Sequence, residues 1–91
     1  MDPSRRFCVA PAVHFRSFGA ELVILDLTGG EYFALDAMGT RVWNDLAKGR
    51  PLADVVDELA HEYQVDQARL WGDLEAFLNE LIAKGLLLPL G

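Results

Sequence analysis

The stretch Ala20 to Leu35, "AELVILDLTGGEYFAL", constrains the fold more than any other part of the chain. "AELVILDL" is dense in Val, Ile and Leu and has the length of a central strand packed on at least one face. Thr28 to Gly30 supply the positive-φ positions of a tight turn, which predicts a hairpin into Glu31 to Leu35. Upstream, "FCVAPAVHF" has the composition of a strand interrupted by Pro11, a residue confined to sheet edges and bulges because it donates no ladder hydrogen bond. A three-stranded meander follows from this order.

At Asp36 the hydrophobic period changes from two to about 3.6. Asp36 is a suitable N-cap for a helix to about Lys48, with Val42, Trp43 and Leu46 on one face and Gly49 as its stop. Leu52, Val55, Val56, Leu59 and Tyr63 define a second amphipathic helix, whose start tolerates Pro51 because the missing N–H would have no intrahelical partner. A third begins at Asp66. Val65 and Leu70 occupy the positions of a hydrophobic staple around that cap; Leu74, Phe77, Leu78, Leu81 and Ile82 extend the stripe, and Lys84 and Gly85 close it. The tail "LLLPL", Leu86 to Leu90, pairs with the sheet or lies on it, alternatives its sequence leaves open. No linker or repeat interrupts the 91 residues, so residues 1–91 form a single segregated α+β domain. A chain of this size buries only about 60 to 65% of the surface exposed when unfolded.

Chemistry finds little purchase. His14 and His61 fall in different elements with no nucleophile nearby in sequence, and Cys8 is the one cysteine, without neighbours at metal-ligand spacing. "TGGE" lacks the strand-loop-helix context of a nucleotide fingerprint, and the hairpin explains its glycines. The carboxylates Asp54, Asp57, Glu58, Glu62, Asp73, Glu75 and Glu80 belong to solvated helix faces. No catalytic residue, metal or cofactor is expected. The free cysteine and the absence of a signal peptide or membrane-length apolar window favour a soluble, cytoplasmic protein with no membrane partner.

A β-meander with three helices also describes a winged helix-turn-helix. Charge opposes DNA binding on that plan: the net charge is −6, and Asp66 to Lys84 hold four acids (Asp66, Asp73, Glu75, Glu80) against two bases (Arg69, Lys84). The other usable surface is the outer strand Glu31 to Leu35. It carries neither proline nor lysine to blunt its edge, and Tyr32 and Phe33 offer apolar contact to a strand laid beside it. Alternation places Phe33 and Leu35 on one face and Tyr32 and Ala34 on the other, so part of the same segment also serves the core.

The run "GGEYFALDAMGTRVWNDLAKGRPLADVVDELAHEYQVD", followed by "DLEAFLNELIAKGLL", resembles the PqqD-like family, the recognition elements for precursors of ribosomally synthesised, post-translationally modified peptides (RiPPs). The likeness lies in a glycine turn, aromatics, Leu-Asp, a Trp-bearing helix, a glycine, a helix ending in Tyr-x-Val, and a helix closing on Leu-x-x-x-Gly-Leu. It spans roughly Leu22 to Leu88. Within the family, "EYFALD" and the stand-alone length are most similar to the leader-binding proteins of lasso-peptide clusters; Pro51, where Thr or Ser is common, is a departure. The resemblance implies a winged helix-turn-helix-like domain and a non-catalytic protein that binds a precursor's leader as an added antiparallel strand. It would present that leader to a leader peptidase and a macrocyclase. Carried over by position, the implied peptide-binding residues are Glu31, Tyr32, Phe33, Ala34 and Leu35 on the strand and Arg69, Leu70, Asp73, Leu74 and Phe77 on the third helix. A general peptide-binding adaptor of another modification pathway and a winged-helix DNA-binding regulator are the alternatives.

Overall fold

The computed structural model describes residues 4–90. Its elements run β1 (Arg6–Val9), β2 (Val13–Phe18), β3 (Glu21–Asp26), β4 (Glu31–Leu35), α1 (Ala37–Ala47), α2 (Leu52–Tyr63), α3 (Gln67–Ala83) and β5 (Leu87–Leu90). The expected meander is present as an antiparallel sheet in the order β2-β3-β4, followed by the three expected helices. Among the described residues, no helix is long and apolar enough to cross a membrane.

The N-terminal segment differs from expectation. "FCVAPAVHF" is not one strand but two, divided by a turn in which the Val13 N–H donates to the Ala10 carbonyl at 3.0 Å. Pro11 lies just after the start of that turn, where its fixed φ fits. β2 enters the meander, while β1 leaves it to pair antiparallel with β5, Phe7 opposite Pro89 and Val9 opposite Leu87. This small sheet settles the conformation of the tail.

The tail is aimed by the end of α3. The Gly85 N–H donates to the Ile82 carbonyl and the Leu86 N–H to the Leu81 carbonyl, both at 3.0 Å, with Gly85 at φ +73°. This is the paired bonding of a Schellman termination, and it requires a left-handed residue at Gly85. The reversal drops Leu86 and Leu87, both fully buried, into the core beside Phe7. At the start of α2, Pro51 is the N-cap and offers no side-chain bond, but the Leu52 N–H is taken by the Arg5 carbonyl at 2.9 Å. A backbone acceptor from the strand lead replaces the missing Ser or Thr cap.

The core lies between the inner face of the meander and the helices. Leu22 and Ile24 of β3, Trp43 and Leu46 of α1, Val55 and Leu59 of α2, and Leu78 of α3 are fully enclosed. Phe15 meets Trp43 edge to face, ring centroids 5.5 Å apart. On the surface, Arg41 of α1 bonds Glu58 and Glu62 of α2, and Arg50 bonds Glu58 at 2.7 Å. The hydrogen bond and charge of Arg50, then those of Arg41, hold the Glu58 carboxyl below the usual carboxylate range.

Two outcomes follow. Leu87→Ala, which hollows the junction of β5 and core, should cost about 2–5 kcal/mol in urea unfolding. In a carboxyl-carbon NMR titration Glu58 should lose its proton at lower pH than an ordinary glutamate, and Arg50→Ala should move it back up. Because the folded value is the depressed one, the small stability Glu58 adds is present above the unfolded glutamate range and fades as pH falls through the folded midpoint.

Candidate functional site: the free edge of β4 and the groove beside α3

Among the described residues, β4 is paired on one side only. Its register with β3 sets Leu22 opposite Leu35, Ile24 opposite Phe33 and Asp26 opposite Glu31. Which backbone groups this consumes follows from two bonds at the end of β3. The Leu27 N–H reaches the Ala12 carbonyl on the β2 side at 3.0 Å, and the Asp26 carbonyl accepts from the Gly30 N–H on the β4 side at 2.9 Å. Successive residues of a strand turn their N–H and C=O groups to opposite sides. Leu22, Ile24 and Asp26 therefore face β4, and their partners Leu35, Phe33 and Glu31 answer them. The N–H and C=O groups of Tyr32 and Ala34 face outward along the free edge.

Side chains divide on the other axis. Phe33 and Leu35 are half-buried on the inner face, whereas Tyr32 is 74% exposed on the outer one, opposite Leu25. Between the inner face of β4 and α3 runs a groove of about 450 Å³. Phe33, Ala34 and Leu35 form one wall and Asp73, Phe77 and Glu80 the other, over a floor of Leu70, Leu74 and Leu81. Met38 and Gly39 close the Leu35 end. Gly39 is there because of a close approach: a Cβ would stand 3.3 Å from the Phe77 ring and 3.4 Å from the Leu35 Cβ. Its N–H donates to the Asp36 carboxylate at 2.8 Å, which fixes α1 at the end of β4, and the Thr40 hydroxyl adds a bond to the Leu35 carbonyl at 3.3 Å. At the opposite end Lys84 lies 4.7 Å above the Phe33 ring and pairs with Glu80 at 2.9 Å.

Of the residues singled out from sequence, Phe33, Ala34, Leu35, Leu70, Asp73, Leu74 and Phe77 meet in this groove. Arg69 lines an adjoining hollow, Glu31 sits exposed at the turn, and Tyr32 points to the opposite face of the sheet. Asp36, Met38, Gly39, Glu80, Leu81 and Lys84 complete the lining without having been assigned to the site from sequence. Gly39, a glycine early in a helix, and the Glu80–Lys84 spacing were the available signals. Among the described residues, no three His, Cys, Asp or Glu side chains converge as a metal site.

A strand edge with two unpaired residues, flanked by an apolar groove, defines a peptide-binding type of surface on an α+β domain. The sequence profile described as Coenzyme PQQ synthesis protein D (PqqD) matches residues 21–87, and the chain belongs to that family. Two solved structures share the fold. TbiB1 in complex with the TbiA(beta) leader peptide is 39% identical, with a TM-score of 0.84 over 88% of this chain and 93% of that one. A lasso peptide synthetase B1 complexed with the leader peptide is 28% identical, with a TM-score of 0.85 over 92% of this chain and 99% of that one. No curated protein matches significantly.

The backbone assignment has a direct test. Phe33→Pro removes a donor from the β3–β4 ladder and should lower the urea midpoint markedly, whereas Tyr32→Pro removes an N–H that bonds nothing in the sheet and should leave the midpoint near the native value. Hydrogen exchange should likewise be fast at Tyr32 and Ala34 and slow at Phe33 and Leu35.

Proposed function

We propose that this chain captures the leader segment of a precursor peptide in lasso-peptide biosynthesis by adding it as an antiparallel strand along β4. The protein catalyses no step itself and delivers the bound leader to a leader peptidase and a macrocyclase of the same pathway. The observation that carries this reading is the coincidence of the unpaired Tyr32 and Ala34 backbone with the apolar groove, in a family whose solved relatives are leader-peptide complexes.

The energetics divide the work between edge and groove. Tyr32 and Ala34 offer two N–H and two C=O groups. At about 0.5–1.5 kcal/mol net per hydrogen bond, these contribute about 2–6 kcal/mol before the cost of ordering the guest. A micromolar complex needs about 8 kcal/mol. The balance has to come from apolar side chains buried against Phe33, Leu35, Leu74 and Phe77, at about 25 cal/mol per Å². Guest residues opposite Phe33 and Leu35 face the groove, and those opposite Tyr32 and Ala34 face away. The main chain thus supplies affinity for any extended peptide, and the groove supplies the choice among them.

Adding the cognate precursor's leader peptide should slow hydrogen exchange at Tyr32 and Ala34, and Tyr32→Pro should weaken binding about tenfold or more. Protection that appears along the β2 edge instead would sink the reading. A DNA duplex should not bind at physiological salt.

A further inference from the structure

The groove continues past the end of β4. Met38, Leu70 and Asp73 border both it and a second hollow of about 500 Å³, walled further by Gln64, Val65, Asp66 and Arg69. A peptide lying along β4 therefore has a path beyond Leu35, over Asp73, towards the start of α3.

The charged groups along this path are not equivalent. Asp36 caps α1 through its 2.8 Å bond from the Gly39 N–H, and Asp66 caps α3 through a 3.4 Å bond from the Ala68 N–H. Asp73 caps nothing. It is exposed within α3 and makes no hydrogen bond or ion pair among the described residues. Arg69, one turn earlier, borders only the second hollow and makes no ion pair with Asp66 or Asp73 among the described residues, so on the groove itself the Asp73 carboxylate has no cation beside it. At the far end of the groove, Glu80 is already matched by Lys84 at 2.9 Å. The Leu35 end thus has an unmatched carboxylate on its rim, and the Phe33 end has a closed pair.

Chain direction converts this asymmetry into a sequence requirement. β4 runs towards Asp73, so an antiparallel guest lies with its N-terminal flank at that end. The guest residue opposite Leu35 faces the groove, and the next residue on the same face lies two positions earlier, about 7 Å further along. That position falls beyond the strand, within reach of a long side chain to Asp73.

Building on the strand-addition reading, we propose that Asp73 is a specificity-determining residue: it selects leaders with Lys or Arg two residues before an apolar-x-apolar pair. The two apolar residues sit opposite Leu35 and then Phe33. A carboxylate on the rim of an apolar groove favours a cation and repels an acidic residue placed there, and its effect is larger on discrimination than on total affinity.

The test uses peptides of about ten residues, capped at both ends, that share the strand segment of the cognate precursor's leader. They carry Lys, Gln or Glu at the position two before the apolar pair, and a fourth has Lys two residues after it with Gln before. Dissociation constants are measured by fluorescence anisotropy for the native protein, Asp73→Asn and Asp73→Lys. For the native protein Lys should bind roughly three- to tenfold tighter than Gln, with Glu weaker again, and the differences should shrink in high salt. Asp73→Asn should compress the series and Asp73→Lys should invert it, while the fourth peptide should behave like the Gln peptide. An unchanged order across the three proteins, or a gain from Lys on the C-terminal side, would overturn the assignment. If every peptide binds alike and still protects Tyr32 and Ala34, the charge selection alone is wrong; if none binds the native protein, the strand-addition reading falls with it.

Discussion

β4 has to belong to the folded domain on one edge and remain unsatisfied on the other. Glu31, Phe33 and Leu35 spend their backbone groups on β3, and Phe33 and Leu35 lay their side chains on the inner face of the sheet. Tyr32 and Ala34 keep their backbone groups for solvent or a guest. An edge held this way is useful only if it does not fray, and the surroundings of β4 are arranged to prevent that. At one end the four-residue turn from Leu27 to Gly30 is tied by the Asp26 carboxylate accepting from the Thr28 N–H at 3.0 Å. At the other, Asp36 caps α1 and Thr40 holds the Leu35 carbonyl.

The same demand shapes the distant parts of the fold. α3 must lie close enough to β4 to wall a groove but not so close that Phe77 and Leu74 fill it. Gly39 sets the separation at one end, since any side chain there would press on Phe77. At the other end the Schellman turn stops α3 at Lys84, whose ammonium rests over Phe33 while the chain turns back into the β1–β5 pair. The core that fixes α3 is thus built partly from the two chain ends, Phe7 and Leu87. The groove depends on contacts between residues separated by nearly the whole sequence.

Local signals in the sequence were strong where local chemistry decides the structure. The hairpin, the Asp36 and Asp66 caps, the Gly85 stop and the apolar stripes reappear, because each is set within a few residues, except that Tyr63, expected on the α2 stripe, is exposed in the last turn of that helix, where Ala60 is buried instead. The division of "FCVAPAVHF" was hidden because both halves look like strands, and only the partner tells them apart: β5 for one and β3 for the other. In the groove, the apolar wall was legible from strand alternation and the α3 stripe. Met38 and Asp36 were not, and Gly39 showed only as a glycine early in a helix, since all three enter through the angle at which α1 leaves β4, a tertiary quantity that no window of sequence holds. Tyr32 shows the opposite limit. Its side chain turns away from the groove, yet its backbone is half of the free edge, so side-chain and main-chain contributions to one position have to be argued separately.

An open edge of five residues is ordinarily a route to aggregation. On β4, among the described residues, two residues present free ladder groups, and about 2–6 kcal/mol of hydrogen bonding does not hold a stray strand against the cost of ordering it. A second molecule approaching edge to edge would also bring another charge of −6. On the proposed reading, both obstacles would be overcome by a peptide that buries alternate apolar residues against Phe33 and Leu35 and carries little negative charge where it crosses Asp73. The shortness of the edge and the protein's net negative charge therefore act together against pairing with its own copies, and on the proposed reading they leave the edge sufficient for a guest whose side chains fit the groove.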